Sequence, residues 1–164
     1  MSVQEILQIF GGIGVIASIV FAGLQIRRNT IAMRAAANHN ISLTFINMWL
    51  DLAINAEFTE LALRGGEEFH SMTRIEKVRV RFQFMVFMRI YENAYFQHKL
   101  GILKDADWEA IIGDMRNFCT RPKVPDIWAL VSNRSGADFR GFVDKLLAEI
   151  AASKLAATET EPAL

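Results

Sequence analysis

The chain has a single cysteine, Cys119, which excludes an internal disulfide and suits a reducing compartment. It has no excess of either charge: eighteen Lys/Arg balance eighteen Asp/Glu, and the pronounced basic face that marks nucleic-acid binding is missing. The three histidines, His39, His70 and His98, fall on three different predicted elements. No Glu-x-x-His or His-Glu-x-x-His spacing sets two ligands on one helical face, so metal binding has no support. Strand-like alternation, internal repeats and extended low-complexity segments are also lacking. What remains is 164 residues, 52% hydrophobic, enough for one core and too few for a second soluble domain.

The balanced charge hides an asymmetry. Residues 27–104 hold eleven Lys/Arg against seven Asp/Glu, residues 105–164 hold seven against ten, and residues 1–26 contribute only Glu5. Residues 6–26 therefore form an uncharged, mostly apolar run of twenty-one residues. At about 1.5 Å per residue this run is roughly as long as a bilayer's hydrocarbon layer is thick. Gln8 and Gln25 lie near its ends, where headgroups and water can hydrate them, and Ser18 can bond back to the carbonyl one turn earlier. A cleaved signal peptide would carry positive charge before the run and small residues after it. Here Glu5 comes before and Gln25-Ile26-Arg27-Arg28 after, so the segment is expected to stay attached.

Arg27, Arg28 and Arg34 follow the run within ten residues and no Lys or Arg precedes it, which predicts a cytoplasmic body and an outward N-terminus in a bacterial inner membrane. The same arginines could hold anionic lipid headgroups. Within the run, Gly14, Ser18 and Ala22 recur at every fourth position. Such a small-residue stripe lets a second helix approach closely, from a membrane-protein partner or another copy of the chain.

The fold class expected is all-α: one N-terminal transmembrane helix continuing into a cytoplasmic bundle of about four to six helices. The divisions are a short tail over 1–5, a membrane helix over 6–26, a helical domain over 27–153 and a flexible tail over 154–164. No Gly or Pro interrupts residues 24–64, and Ile41, Phe45, Met48 and Leu52 have the spacing of a core-facing stripe. Asn55 is a plausible helix end, and a short helix over 56–64 is expected to stop at Gly65-Gly66. Thr73-Arg74-Ile75-Glu76 has capping-box spacing and opens a helix to about Lys99. That helix is apolar nearly all round between Phe82 and Phe96, as the central helix of a bundle would be, and Leu100-Gly101 ends it. A helix from Lys104-Asp105 to about Cys119 follows, then Pro122 and a short helix with Pro125 in its first turn and Trp128 inside. Ser135-Gly136-Ala137-Asp138 repeats capping-box logic ahead of Phe139, Phe142, Val143, Leu146 and Leu147.

The stretch Ile16-Ala17-Ser18-Ile19-Val20-Phe21-Ala22-Gly23-Leu24-Gln25-Ile26-Arg27-Arg28-Asn29-Thr30, with Ala32-Met33-Arg34-Ala35, resembles the opening of a group of uncharacterised bacterial proteins. In that group one membrane helix passes into a Gln-Ile-Arg-x-Asn-Thr turn. Glu92-Asn93-Ala94-Tyr95-Phe96-Gln97, then Gly101-Ile102-Leu103, Asp105 and Trp108, and finally Asp138-Phe139-Arg140-Gly141-Phe142-Val143-Asp144 are similar to the same group. The resemblance implies a membrane-anchored helical domain and carries no activity with it.

For chemistry, Glu92 stands out as a carboxylate in the apolar stretch of the central helix, with Arg89 one turn before and Tyr95 one turn after. A structural reading makes Arg89, Glu92 and Tyr95 a buried polar group, in which Glu92→Ala would cost roughly 3 kcal/mol by stranding a partner. The functional alternative is an acid in a pocket with Tyr91, Tyr95 and His98, belonging to an enzyme or small-ligand sensor. No second carboxylate has a spacing that ties it to Glu92. Cys119 reads as a half-buried structural thiol, Trp49, Trp108 and Trp128 as core or interface anchors, and Gly11-Gly12-Ile13-Gly14 lacks the preceding strand of a dinucleotide site. With no catalytic residue, metal ligand or cofactor to name, the preferred reading is a membrane-anchored interaction or assembly subunit that contacts membrane lipid and no nucleic acid.

Overall fold

Capping, more than helix propensity, sets where this chain changes direction. In the computed structural model, which describes residues 2–160, Asn55 ends α1 (Val3–Ile54) and its carboxamide accepts from the Phe58 N–H, starting α2 (Ala56–Glu68). A 3-10 turn, Phe69–Ser71, leads to α3 (Arg74–Lys99). There Thr73 and Glu76 form the expected capping box, the Glu76 carboxylate accepting from the Thr73 N–H at 2.8 Å. α3 closes in a Schellman turn: the Ile102 N–H reaches the Gln97 carbonyl at 2.9 Å, the Gly101 N–H reaches that of His98 at 2.8 Å, and Gly101 takes φ +66°. Then come α4 (Asp105–Cys119), α5 (Val124–Val131) with Pro125 in its first turn, a 3-10 turn Ser132–Arg134, and α6 (Ala137–Thr160). The fold is all-α, with no strand among the described residues.

The chain divides into two compact units, Met1–His39 and Asn40–Leu164. In the first, every side chain from Gly11 to Ala36 is exposed. Ser18 Oγ donates to the Gly14 carbonyl at 2.8 Å, as its spacing predicts, and Thr30 Oγ1 does the same to Ile26 at 2.9 Å.

The second unit has the core. Ile41 and Phe45 of α1 are buried, with Met48 and Leu52 partly so, which is the stripe expected. α3 buries Val80, Phe84, Phe87, Met88 and Tyr91; α6 buries Phe139, Val143, Leu146 and Ile150 at spacings of four, three and four. The Trp128 indole N–H, otherwise stranded in the core, donates to Asp144 Oδ1 at 2.7 Å.

Four expectations need correction. Gly65-Gly66 does not stop α2; both glycines are buried inside it, and a Cβ on Gly65 would come within 2.7 Å of Val80 Cγ1. The pair lets α2 lie close on α3, so its role is packing. α3 is not enclosed on all sides either, since Phe82 and Val86 are exposed. Cys119 is fully buried, and burial pushes its thiol up to about 12. Finally, α6 continues through residues 154–160, where a flexible tail was expected. Ala151, Ala152, Leu155, Ala156 and Ala157 favour helix, and Lys154 Nζ holds the Thr120 carbonyl at 2.5 Å. Residues 161–164 of that expected tail lie outside the described residues.

Candidate functional site

α1 is long and apolar enough to cross a membrane. Its stretch of that character, Gly11–Ile54, has 44 residues, more than twice the roughly 20 that fill one hydrocarbon layer. Ile13, Val15, Ile16, Ile19, Val20, Phe21, Leu24 and Ile26 are all more than half exposed. Gly14, Ser18 and Ala22 are exposed on the same segment, with open space around Gly14. Arg27, Arg28 and Arg34 are exposed and form no ion pair among the described residues. In the second unit the helix is apolar on two faces. Ile41 and Phe45 point into the core, while Leu43, Ile46, Leu50 and Ile54, at spacings of three, four and four, lie outside it.

Glu92 is buried, its side chain 6% exposed, and both carboxylate oxygens are used. Oε2 accepts from Arg89 Nη1 at 2.6 Å and Oε1 from the Gly136 N–H at 2.7 Å. Gly136 directly precedes α6, so Glu92 supplies from another helix the carboxylate that a capping box would take from α6 itself. Asp138, which the sequence offers for that part, pairs with Lys99 instead. Arg89 is not buried; its side chain is 65% exposed and also donates to the Arg134 carbonyl at 3.1 Å. Tyr95 does not hold Glu92. Its ring is 5.0 Å from that of Phe142 and 5.5 Å from that of Phe139, in an aromatic cluster with Trp108. Long side chains at three and four residues' separation can meet without having to, and α6 offers Tyr95 a better-fitting apolar surface. His98 stacks on Trp108 at 5.0 Å and bonds Asp105 Oδ1 at 3.0 Å.

Tyr91 faces elsewhere. It lines a cavity of about 420 Å³ bounded by the second half of α1 and by α2, α3 and α4. Trp49, Phe87 and Phe118 supply aromatic walls; Asp114, Asn117 and Arg121 supply the polar groups. Burial holds the Tyr91 hydroxyl well above its usual range, the Asp114 charge adding to the shift and Arg121 opposing it. Sequence reasoning did not find this site, because it is assembled from four helices. The one legible part is the spacing of Asp114, Asn117, Phe118 and Arg121, which puts two opposite charges and an aromatic ring on one face of α4 and its extension. No group of three His, Cys, Asp or Glu among the described residues could hold a metal ion. No family model matches the chain, and neither a curated protein nor a solved structure does.

Proposed function

We propose that the protein is a membrane-anchored assembly subunit: residues 6–26 cross a bacterial inner membrane, and the cytoplasmic body binds a partner protein through the outer face of α1. The observation that carries this reading is the extent of exposed apolar surface on α1. Apolar side chains at 13–26 and again at 43–54 cannot all sit in one hydrocarbon layer, and Arg27, Arg28 and Arg34 between them belong at a headgroup boundary. The first set suits lipid, and the second needs protein. The arginine cluster favours a cytoplasmic body and can add about 1 kcal/mol per residue toward anionic headgroups. The partner is either a second copy of the chain or another membrane protein, with Gly14, Ser18 and Ala22 as the close-approach stripe inside the bilayer.

Carbonate extraction should leave the chain in the membrane, and a periplasm-active reporter at the C-terminus should be silent while a cytoplasm-active one works. Release into the supernatant defeats the anchor. For the partner, Leu50→Cys is a clean probe because the native thiol is buried. Labelled there with a maleimide-benzophenone and irradiated in native membranes, which inserts the probe into a neighbouring C–H bond, the chain should yield a discrete cross-linked product whose mass separates a homodimer from a hetero-complex. If only monomer is recovered, the outer face of α1 has no protein on it. Gly14→Ile should reduce the yield of that product if the stripe packs against a helix; an unchanged yield leaves the stripe facing lipid.

A further inference from the structure

The cavity beside Tyr91 combines features that packing alone does not explain. Tyr91 is 4% exposed, yet nothing among the described residues bonds its hydroxyl, and that oxygen is not among the fully enclosed polar atoms left without a partner. A buried phenol ordinarily finds a partner, because an unmade hydrogen bond costs more than a made one gains. Here the oxygen retains access to the cavity its ring lines.

Arg121 is the second feature. Its guanidinium lies 5.6 Å from the Phe118 ring centroid and pairs with no carboxylate among the described residues. The side chain is nevertheless fixed in place. A Cβ on Gly66 would meet Arg121 Cδ at 2.8 Å, so the arginine stem lies on bare helix backbone, and the Lys123 N–H bonds the Gly66 carbonyl at 2.8 Å to hold the loop there. A positioned cation with no counterion, next to aromatic walls, is suited to an anion carried on an apolar body. The third feature, Asp114, lies two turns before Arg121 on the same face, exposed and also unpaired, and it disfavours a second negative charge at that end.

We infer that this cavity is a binding site for a small monocarboxylate with a ring-bearing apolar body. The carboxylate meets Arg121, the Tyr91 hydroxyl donates to it, and the ring lies among Trp49, Phe87 and Phe118. At about 420 Å³ the space is within the range of small-molecule sites. The inference does not depend on the membrane reading, since every residue it uses belongs to the second unit.

The test uses the full chain in lipid nanodiscs, with empty nanodiscs as the blank. Binding of 4-phenylbutyrate, 4-phenylbutylamine and octanoate is followed by ligand-observed NMR and by tryptophan emission, in which Trp49 is the half-exposed reporter. Phenylbutyrate should saturate, with affinity on the order of millimolar for so small a probe. It should weaken at least about tenfold in Arg121→Gln and by a smaller factor in Tyr91→Phe, as loss of a charged and a neutral partner respectively implies. Leu63→Trp, on the exposed lip, should block the site without touching either polar group, so the inference stays testable if Arg121→Gln does not fold. Binding no greater than to empty nanodiscs, or unchanged in Leu63→Trp, overturns the site. An amine that binds as well as the acid overturns the carboxylate, and octanoate binding tighter than phenylbutyrate overturns the ring.

Discussion

Residues 11–36 and residues 40–160 are both mainly α-helical and draw on the same apolar side chains, but they dispose them in opposite ways. In the first stretch every side chain is exposed and glycine occurs at 11, 12, 14 and 23 with mostly open space around it. In the second, apolar residues gather where helices meet, as along α6, although α1 and α3 also carry some outside the core, and glycines 65 and 66 are buried against neighbours. Helical residues alone do not make a fold. The core of the second stretch is stable because its helices cover each other, and the first leaves its apolar side chains exposed.

The largest effects should separate the two stretches. Phe139→Ala, at a fully buried ring, should cost the body about 3–5 kcal/mol in denaturant unfolding and leave membrane retention alone. Ile19→Arg should do the reverse, opposing membrane insertion by about 2.5–3.5 kcal/mol while the body's unfolding midpoint stays fixed. If Ile19→Arg moved that midpoint substantially, the two stretches would not be independent.

Next in size is Glu92. The sequence alone suggested a loss near 3 kcal/mol for Glu92→Ala, but Arg89 is largely solvated and Gly136 is exposed, so water can satisfy both when the carboxylate goes. About 1–2 kcal/mol is expected, the value of a charged hydrogen bond at a helix start, and Glu92→Gln should lose less. Equal melting temperatures for all three proteins would show that α6 does not need this cap.

Glycine substitutions should differ in sign. Gly65→Ala drives a methyl into the buried, β-branched Val80 and should cost about 1–2 kcal/mol, whereas Gly113→Ala, in open space mid-α4, should gain about 0.5–1 kcal/mol. Two gains would mean that the close approach of α2 to α3 carries no strain.

The smallest effect is in the pH profile. The Thr73 N–H, then its hydroxyl, then Arg64 hold the Glu76 carboxyl at about 2 against an ordinary 4.5. A lowered folded-state value means that the contribution is complete above pH 4.5 and disappears as pH falls toward 2. Glu76→Gln should therefore flatten the dependence of melting temperature on pH in that window and leave its slope above pH 5 unchanged. An unaltered acid limb would remove Glu76 from the account.

These contrasts also explain what could be read from the sequence. The ends of α3 were legible because Thr73 with Glu76 at its start, and Gly101 at its close, each act within a few residues of the end they set, and Pro125 does so for α5. Gly65-Gly66 was misread because a glycine pair looks locally like a stop, and its reason, contact with Val80 and Arg121, lies 15 and 55 residues away. Glu92 was legible as a buried acid needing a partner; that the partner would be the Gly136 N–H was not, because a backbone group leaves no residue-type signal. The cavity was least legible, since Tyr91, Asp114 and Arg121 converge only after four helices have packed.

The cap that Glu92 places on α6 spans 44 residues of sequence. During synthesis α3 emerges first, with a carboxylate on what will become its inner surface and only Arg89 at hand. Until Gly136 arrives, Arg89 holds one oxygen of that acid and water the other, and closing the bundle earlier would leave Oε1 without a partner. Its last polar bond is made only when the C-terminal helix docks, so a chain truncated before Gly136 loses this bond together with the core side chains of α6, and should hold its remaining helices loosely and stay open to proteases.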